Sequence, residues 1–71
     1  MNKFSGRQMR AARRAKKLSR FKLAVACGVT PQTIQNWEQG THVPGANSLV
    51  EMAFCLEKPV EYFFIEGRTD A

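Results

Sequence analysis

Seventy-one residues carrying eleven Lys or Arg against six Asp or Glu, with two cysteines and a hydrophobic fraction of 44%, make one small basic domain with a modest core. That composition excludes a membrane span, since no run of 18 apolar residues occurs, and the basic N-terminus lacks the apolar stretch of a signal peptide. Cys27 and Cys55 form no CxxC and match no zinc or redox framework, so both are expected as free, buried thiols in a reducing cytoplasm.

The pattern along the chain is helical throughout, with no strand alternation, repeat or low-complexity tract. A first helix is expected from Gly6 to Lys16, capped by Ser5, with Met9 and Ala12 on its inner face. The segment from Ser19 to Gly40 reads as two short helices joined by a tight turn. Ser19 is a good N-cap for a helix from Arg20 to Cys27, on which Leu23, Ala24 and Cys27 make one apolar stripe. Gly28 supplies a left-handed helix end, Val29 is placed to plug the angle, and Thr30 caps a third helix that opens on Pro31 and runs to Gln39. Ile34 and Trp37 face inward there, leaving Gln32, Thr33, Gln35 and Asn36 outward. A loop from Gly40 to Gly45 precedes a fourth helix, Ala46 to Leu56, with Leu49, Val50, Met52, Ala53 and Leu56 as its apolar set. Pro59 opens a short fifth helix, Val60 to Phe64, and the domain is expected to span residues 1–66, with a frayed tail over residues 67–71.

Charge is polarised along the chain. Nine of the eleven basic residues precede position 23 and all six acids lie at or after position 38. One face is therefore expected to meet a polyanion while the other points away. Amides on an exposed helix face suit base reading, because Gln and Asn donate and accept together on adenine.

The hallmarks Leu18-Ser19, Leu23-Ala24, Gly28-Val29-Thr30, Thr33-Ile34, Trp37-Glu38, Gly40 and Pro44 resemble the helix-turn-helix family that includes the lambdoid phage repressors and Cro proteins. The likeness extends from about Phe4 to Phe64 and implies an all-α, five-helix, lambda-repressor-like domain whose second and third helices form the motif. It implies base reading by Gln32 and Asn36 first, then Gln35 and Thr33. Pro31 departs from relatives that carry a hydrogen-bonding side chain there, so one base fewer is read directly or the ring meets a thymine methyl. Phosphate contacts are expected from Ser19, Arg20 and Thr30, from Gln39, Thr41 and His42 on the other side of the third helix, and at longer range from Arg10, Arg14 and Lys17. The resemblance also implies a partly buried salt bridge between Arg13 and Glu38. His42, a lone loop histidine, is expected neither as a metal ligand nor as a catalyst.

Relatives bind as dimers, with recognition helices in half-sites one turn, about 34 Å, apart. Phe54, Tyr62, Phe64 and Ile65 are the candidate interface, with Phe63 and Leu56 in the core; the bland alternative is a patch packed under the C-terminal tail. The expected activity is that of a small, dimeric or tetrameric transcriptional repressor from a phage or mobile element, binding a pseudo-palindromic double-stranded DNA operator. Because the chain stops after this domain, self-cleavage is not its expected route of release, and a protein antirepressor is a candidate partner. Alternatives are the controller of a restriction system, an antitoxin, or a protein-interaction adaptor that keeps the fold; the outward amides and basic N-terminal half argue against the last. No cofactor, metal, small-molecule substrate or membrane partner is expected. No catalytic set of side chains is present, so the reading is a cytoplasmic non-enzyme.

Overall fold

The computed structural model describes residues 3–64, and among them the architecture is four α-helices followed by a 3-10 turn, with no strand. The helices are α1 (Gly6–Ala15), α2 (Arg20–Cys27), α3 (Pro31–Gln39) and α4 (Ala46–Leu56), and the closing turn spans Val60–Phe64. Each boundary has a local cause. Ser5 is extended and its hydroxyl accepts from the Gln8 amide at 3.1 Å, which starts α1. The helix stops one residue earlier than expected because Lys17 swings to a φ of 60°, which makes Lys16 the cap. Ser19 and Thr30 cap α2 and α3 in the same manner, accepting from Lys22 and Thr33. Gly28 and Gly40 close them with φ of 72° and 84°, a left-handed conformation that glycine adopts without a Cβ penalty.

The core gathers one stripe from every element. Met9, Leu23, Ile34, Met52, Leu56 and Phe63 are the largest fully buried side chains, with Trp37 packed among them. Burying an aliphatic or aromatic side chain of this kind is worth about 1.5–3 kcal/mol each, the main source of stability for so small a domain. Helices α2 and α3 pack on each other, α4 backs α2, and α1 lies across α3.

Gly6 makes that last contact possible. A Cβ built on it would overlap the carbonyl oxygens of Trp37 and Glu38 at the end of α3. Gly6→Ala is therefore expected to force α1 off α3 at a cost of about 1–3 kcal/mol, outweighing the ~1 kcal/mol that alanine gains in helix propensity. Urea denaturation should show the midpoint falling with the slope unchanged.

Two expectations for the C-terminal third are corrected. The fifth helix is a 3-10 turn, closed by Tyr62 N–H to Pro59 carbonyl at 3.0 Å; five residues starting beside a proline are too few for α-helical hydrogen bonding to establish itself. Val50 does not join the core. Met52, Ala53 and Leu56 define the inner stripe of α4, and two residues back is about 200° around the helix, so Val50 stands 59% exposed. Phe54, two residues beyond Met52, falls on that same outer face and is 82% exposed.

The aromatic run is only partly available for association. Phe63 is buried and its carbonyl accepts from the Ser5 amide at 2.7 Å. Phe4 stacks on Phe63 at 6.4 Å and meets Phe64 edge-on at 5.9 Å, and Tyr62 sits edge-on to Phe63 at 5.1 Å. Tyr62 and Phe64 are thus half-buried against the core beside the N-terminal segment. Ile65, the remaining member of the expected interface, lies outside the described residues, as does the expected tail.

Both thiols are unbridged; Cys27 is buried, while Cys55 is half-buried rather than fully so, being at the edge of the α4 stripe. Burial pushes the Cys27 thiol up to about 11 from 9.0, and Cys55 and Glu51 act in the same direction. With the folded value above the unfolded one, this group's contribution to stability is intact below pH 9.0 and is lost as pH rises toward about 11. At about pH 8, a maleimide should label Cys55 first and reach Cys27 only as fast as the domain opens, because the thiolate is the reactive form. Equal labelling rates under native conditions would contradict this.

Candidate nucleic-acid interface

The two helices that could enter a groove are set at their angle by the turn Gly28-Val29-Thr30. The Val29 amide donates to the Ala24 carbonyl at 3.0 Å and its side chain rests against the core, so the turn is braced from both sides. On α3, Ile34, Trp37 and Glu38 point inward. Gln32 is exposed and Asn36 half-exposed one turn on, and their amides touch: Gln32 Nε2 donates to Asn36 Oδ1 at 3.1 Å. This leaves Gln32 Oε1 as an acceptor and the Asn36 amide nitrogen as a donor, both on the outer face. The pair is complementary to the donor and acceptor that adenine shows in the major groove.

The other two expected readers are less open. The Thr33 hydroxyl lies 3.0 Å from that of Thr30 and joins the cap, while Gln35 is half-buried. The loop after α3 is tied to the reading face itself. The Asn36 carbonyl accepts from the Thr41 amide at 3.0 Å, the Thr41 hydroxyl at 3.1 Å and the His42 amide at 3.4 Å. Gln39, Thr41 and His42 are all exposed there. Ser19 is exposed with its hydroxyl engaged by Lys22 N–H, and α2 has no acidic residue in its first turn to oppose an anion. Arg10, Arg14 and Lys17 are exposed, and Arg10 and Arg14 share one shallow depression on α1 with Arg7 and Ala11. A second depression joins the start of α1 to the end of α3, where Lys3 and Arg7 face Gln39 and Gly40. The cationic row of α1 is thereby continuous with the reading helix.

Arg13 and Glu38 meet in the interior. Arg13 Nε donates to Glu38 Oε2 at 2.6 Å, Nη2 to Oε1 at 3.4 Å, and Nη1 to the Leu18 carbonyl at 2.8 Å. The Glu38 side chain is 1% exposed. Arg20, expected only as a phosphate contact, also reaches this carboxylate, with Nε 3.1 Å from Oε1. Sequence reasoning missed that second arginine, although the separation of positions 20 and 38 carries no periodic signal that would have found it. It also missed Phe21 and Val25, both 66% exposed on the outer face of α2; they stand two residues either side of Leu23, which would have marked them. Among the described residues, no group of three or more His, Cys, Asp or Glu is placed to hold a metal. No helix there is long and apolar enough to cross a membrane.

Comparison with known proteins places this geometry in a class. The helix-turn-helix family model matches residues 9–63, and the chain belongs to that family, of the Cro and lambdoid repressor type. A relative from Sinorhizobium fredii, described as the uncharacterized HTH-type transcriptional regulator y4aM, is 38% identical over 61 residues, covering 86% of this chain and 43% of its own. The chain thus spans less than half the length of that relative. Among solved structures, the P22 c2 repressor bound to a synthetic operator superposes with a TM-score of 0.82 at 24% identity, over 87% of this chain and 94% of that one, and shows the same fold. The restriction-modification controller protein C.AhdI of Aeromonas hydrophila superposes with a TM-score of 0.77 at 25% identity, over 83% and 89%.

Proposed function

We propose that this chain is the sequence-specific double-stranded DNA-binding domain of a transcriptional regulator, acting as a small repressor that binds a pseudo-palindromic operator as a dimer. The observation that carries the reading is the Gln32–Asn36 amide pair on the exposed face of α3, flanked by the cationic row of α1. In this reading α3 lies in the major groove, Gln32 and Asn36 read base edges, and Gln35 and Thr33 add peripheral contacts. Ser19, Thr30, Gln39, Thr41 and His42 fix the register on the backbone, while Arg10, Arg14 and Lys17 supply attraction. That the relatives are described as transcriptional regulators, and that the P22 c2 neighbour was solved on an operator, supports it. The dimer reading rests on Val50 and Phe54, two large apolar side chains one turn apart on the outer face of α4. Half-buried Tyr62 and Phe64 form its shoulder.

The test is a titration of a duplex carrying the promoter region beside the protein's own gene, against salt and against scrambled DNA. A preference of about 10³ or more with steep salt weakening is expected. Equal weak binding to both duplexes would sink the assignment. The C.AhdI neighbour favours a second reading within the same biochemistry, a restriction-system controller, which a methyltransferase gene alongside would select.

A further inference from the structure

The buried salt bridge does not use up its carboxylate. Glu38 Oε2 and Oε1 both receive Arg13, and Oε1 also receives Arg20 Nε at 3.1 Å. The two arginines are not equivalent. All three nitrogens of Arg13 are spent on Glu38 and the Leu18 carbonyl, and its side chain is 9% exposed. Arg20 contributes Nε alone to this network, and its side chain is 38% exposed. Two guanidinium groups and one carboxylate leave a net positive charge, and it resides on the arginine that faces out.

We infer that Glu38 is a positioning residue for nucleic-acid binding: its buried carboxylate grips Arg20 by Nε and aims the two Nη groups at a backbone phosphate beside the start of α2. The inference rests on the DNA-binding reading given above. The guanidinium is a rigid planar fork, so an anchor at Nε fixes the direction of both terminal nitrogens, the ends that make paired contacts with phosphate oxygens. The anchor itself cannot drift, because Arg13 holds the same carboxylate from the other side. An ordinary surface ion pair would confer no such direction, since both side chains would be mobile. The arrangement also couples two contacts. Arg20 opens α2 and Glu38 lies near the end of α3, so a phosphate on Arg20 bears on the helix that carries Gln32 and Asn36.

The experiment uses the preferred duplex with single phosphates replaced, one at a time, by neutral methylphosphonate. The wild-type protein should lose affinity about tenfold or more at one position per half-site that Arg20 serves, the position at which Arg20→Gln shows no loss. Glu38→Gln should become indifferent at that same position while keeping the wild-type losses elsewhere. The slope of log affinity against log salt should fall by about 1 in each variant, and by no more than about 1 when both changes are combined. Circular dichroism establishes that each variant is folded. Should Glu38→Gln not fold, Glu38→Asp keeps the charge but is one methylene too short to hold both arginines, and is expected to lose the same single sensitivity. A variant at position 38 that keeps the wild-type sensitivity there, or that weakens every position alike, overturns the inference. So does an Arg20→Gln protein that matches wild type at every phosphate, while an intact preference for the duplex leaves the DNA-binding reading standing. No preference for any duplex would defeat that reading, and the inference with it.

Discussion

Glu38→Ala is expected to lower the free energy of unfolding by about 3–5 kcal/mol, enough to leave much of the protein unfolded at room temperature. A domain of this size has only about 4–11 kcal/mol in total. The cost is not that of losing a favourable ion pair, because taking Glu38 and Arg13 out of water offsets most of their attraction. It arises because Arg13, 9% exposed, would be left charged between α1 and α3 with the Leu18 carbonyl as its remaining partner. The sign of that argument is checked by removing the other charge as well. Combining Glu38→Leu with Arg13→Met should recover more than half of the loss, since apolar groups of similar volume need no counter-charge. Urea denaturation of the single and double variants measures both quantities. High salt should change the wild-type value little, because a buried pair is screened far less than an exposed one. Equal destabilisation in the single and double variants would mean that packing volume at position 38, not charge, is what holds α1 to α3.

The parts of this fold that were legible in the sequence are those encoded by local chemistry. Ser5, Ser19 and Thr30 cap helices because a short hydroxyl side chain reaches the backbone three residues on, and that information is contained in four consecutive residues. Gly28 and Gly40 mark helix ends for the same local reason. Leu23, Ala24, Cys27, Ile34 and Trp37 follow the helical period and are buried as it requires. What could not be read depends on which distant segment arrives at a surface. Val50 fits an apolar stripe as well as Leu49 does until α2 takes one side of α4 and leaves the other uncovered. The aromatic run at 62–64 looked exposed because nothing nearby covers it; Phe4, almost sixty residues upstream, does. The end of α1 moved by one residue because Lys17 adopts a left-handed conformation without being glycine, which composition does not announce. At the interface, residue types pointed to Gln32 and Asn36, but their mutual hydrogen bond and the sharing of Glu38 by two arginines are products of tertiary placement.

That mutual hydrogen bond sets the form of the other large effect. Asn36→Ala is expected to reduce discrimination between the preferred duplex and a single-base variant by about 1–3 kcal/mol at the base it reads. Gln32→Ala should do nearly as much at the same base, because each amide holds the other in its reading orientation: Gln32 Nε2 is 3.1 Å from Asn36 Oδ1. The double variant should therefore lose less than the sum of the two, the deficit measuring the coupling between them. Independent readers, each contacting its own base, would instead give additive losses at two different positions. Stability should hardly change in any of the three, within about 0.5 kcal/mol, since the backbone carbonyl of residue 36 that anchors Thr41 and His42 survives the substitution. Arg14→Gln supplies the contrast. An exposed cation outside the reading face should weaken binding to all duplexes about equally and reduce the salt slope by about 1, leaving discrimination untouched. A loss of preference in Arg14→Gln, or its retention in Asn36→Ala, would move the reading surface away from α3 toward α1.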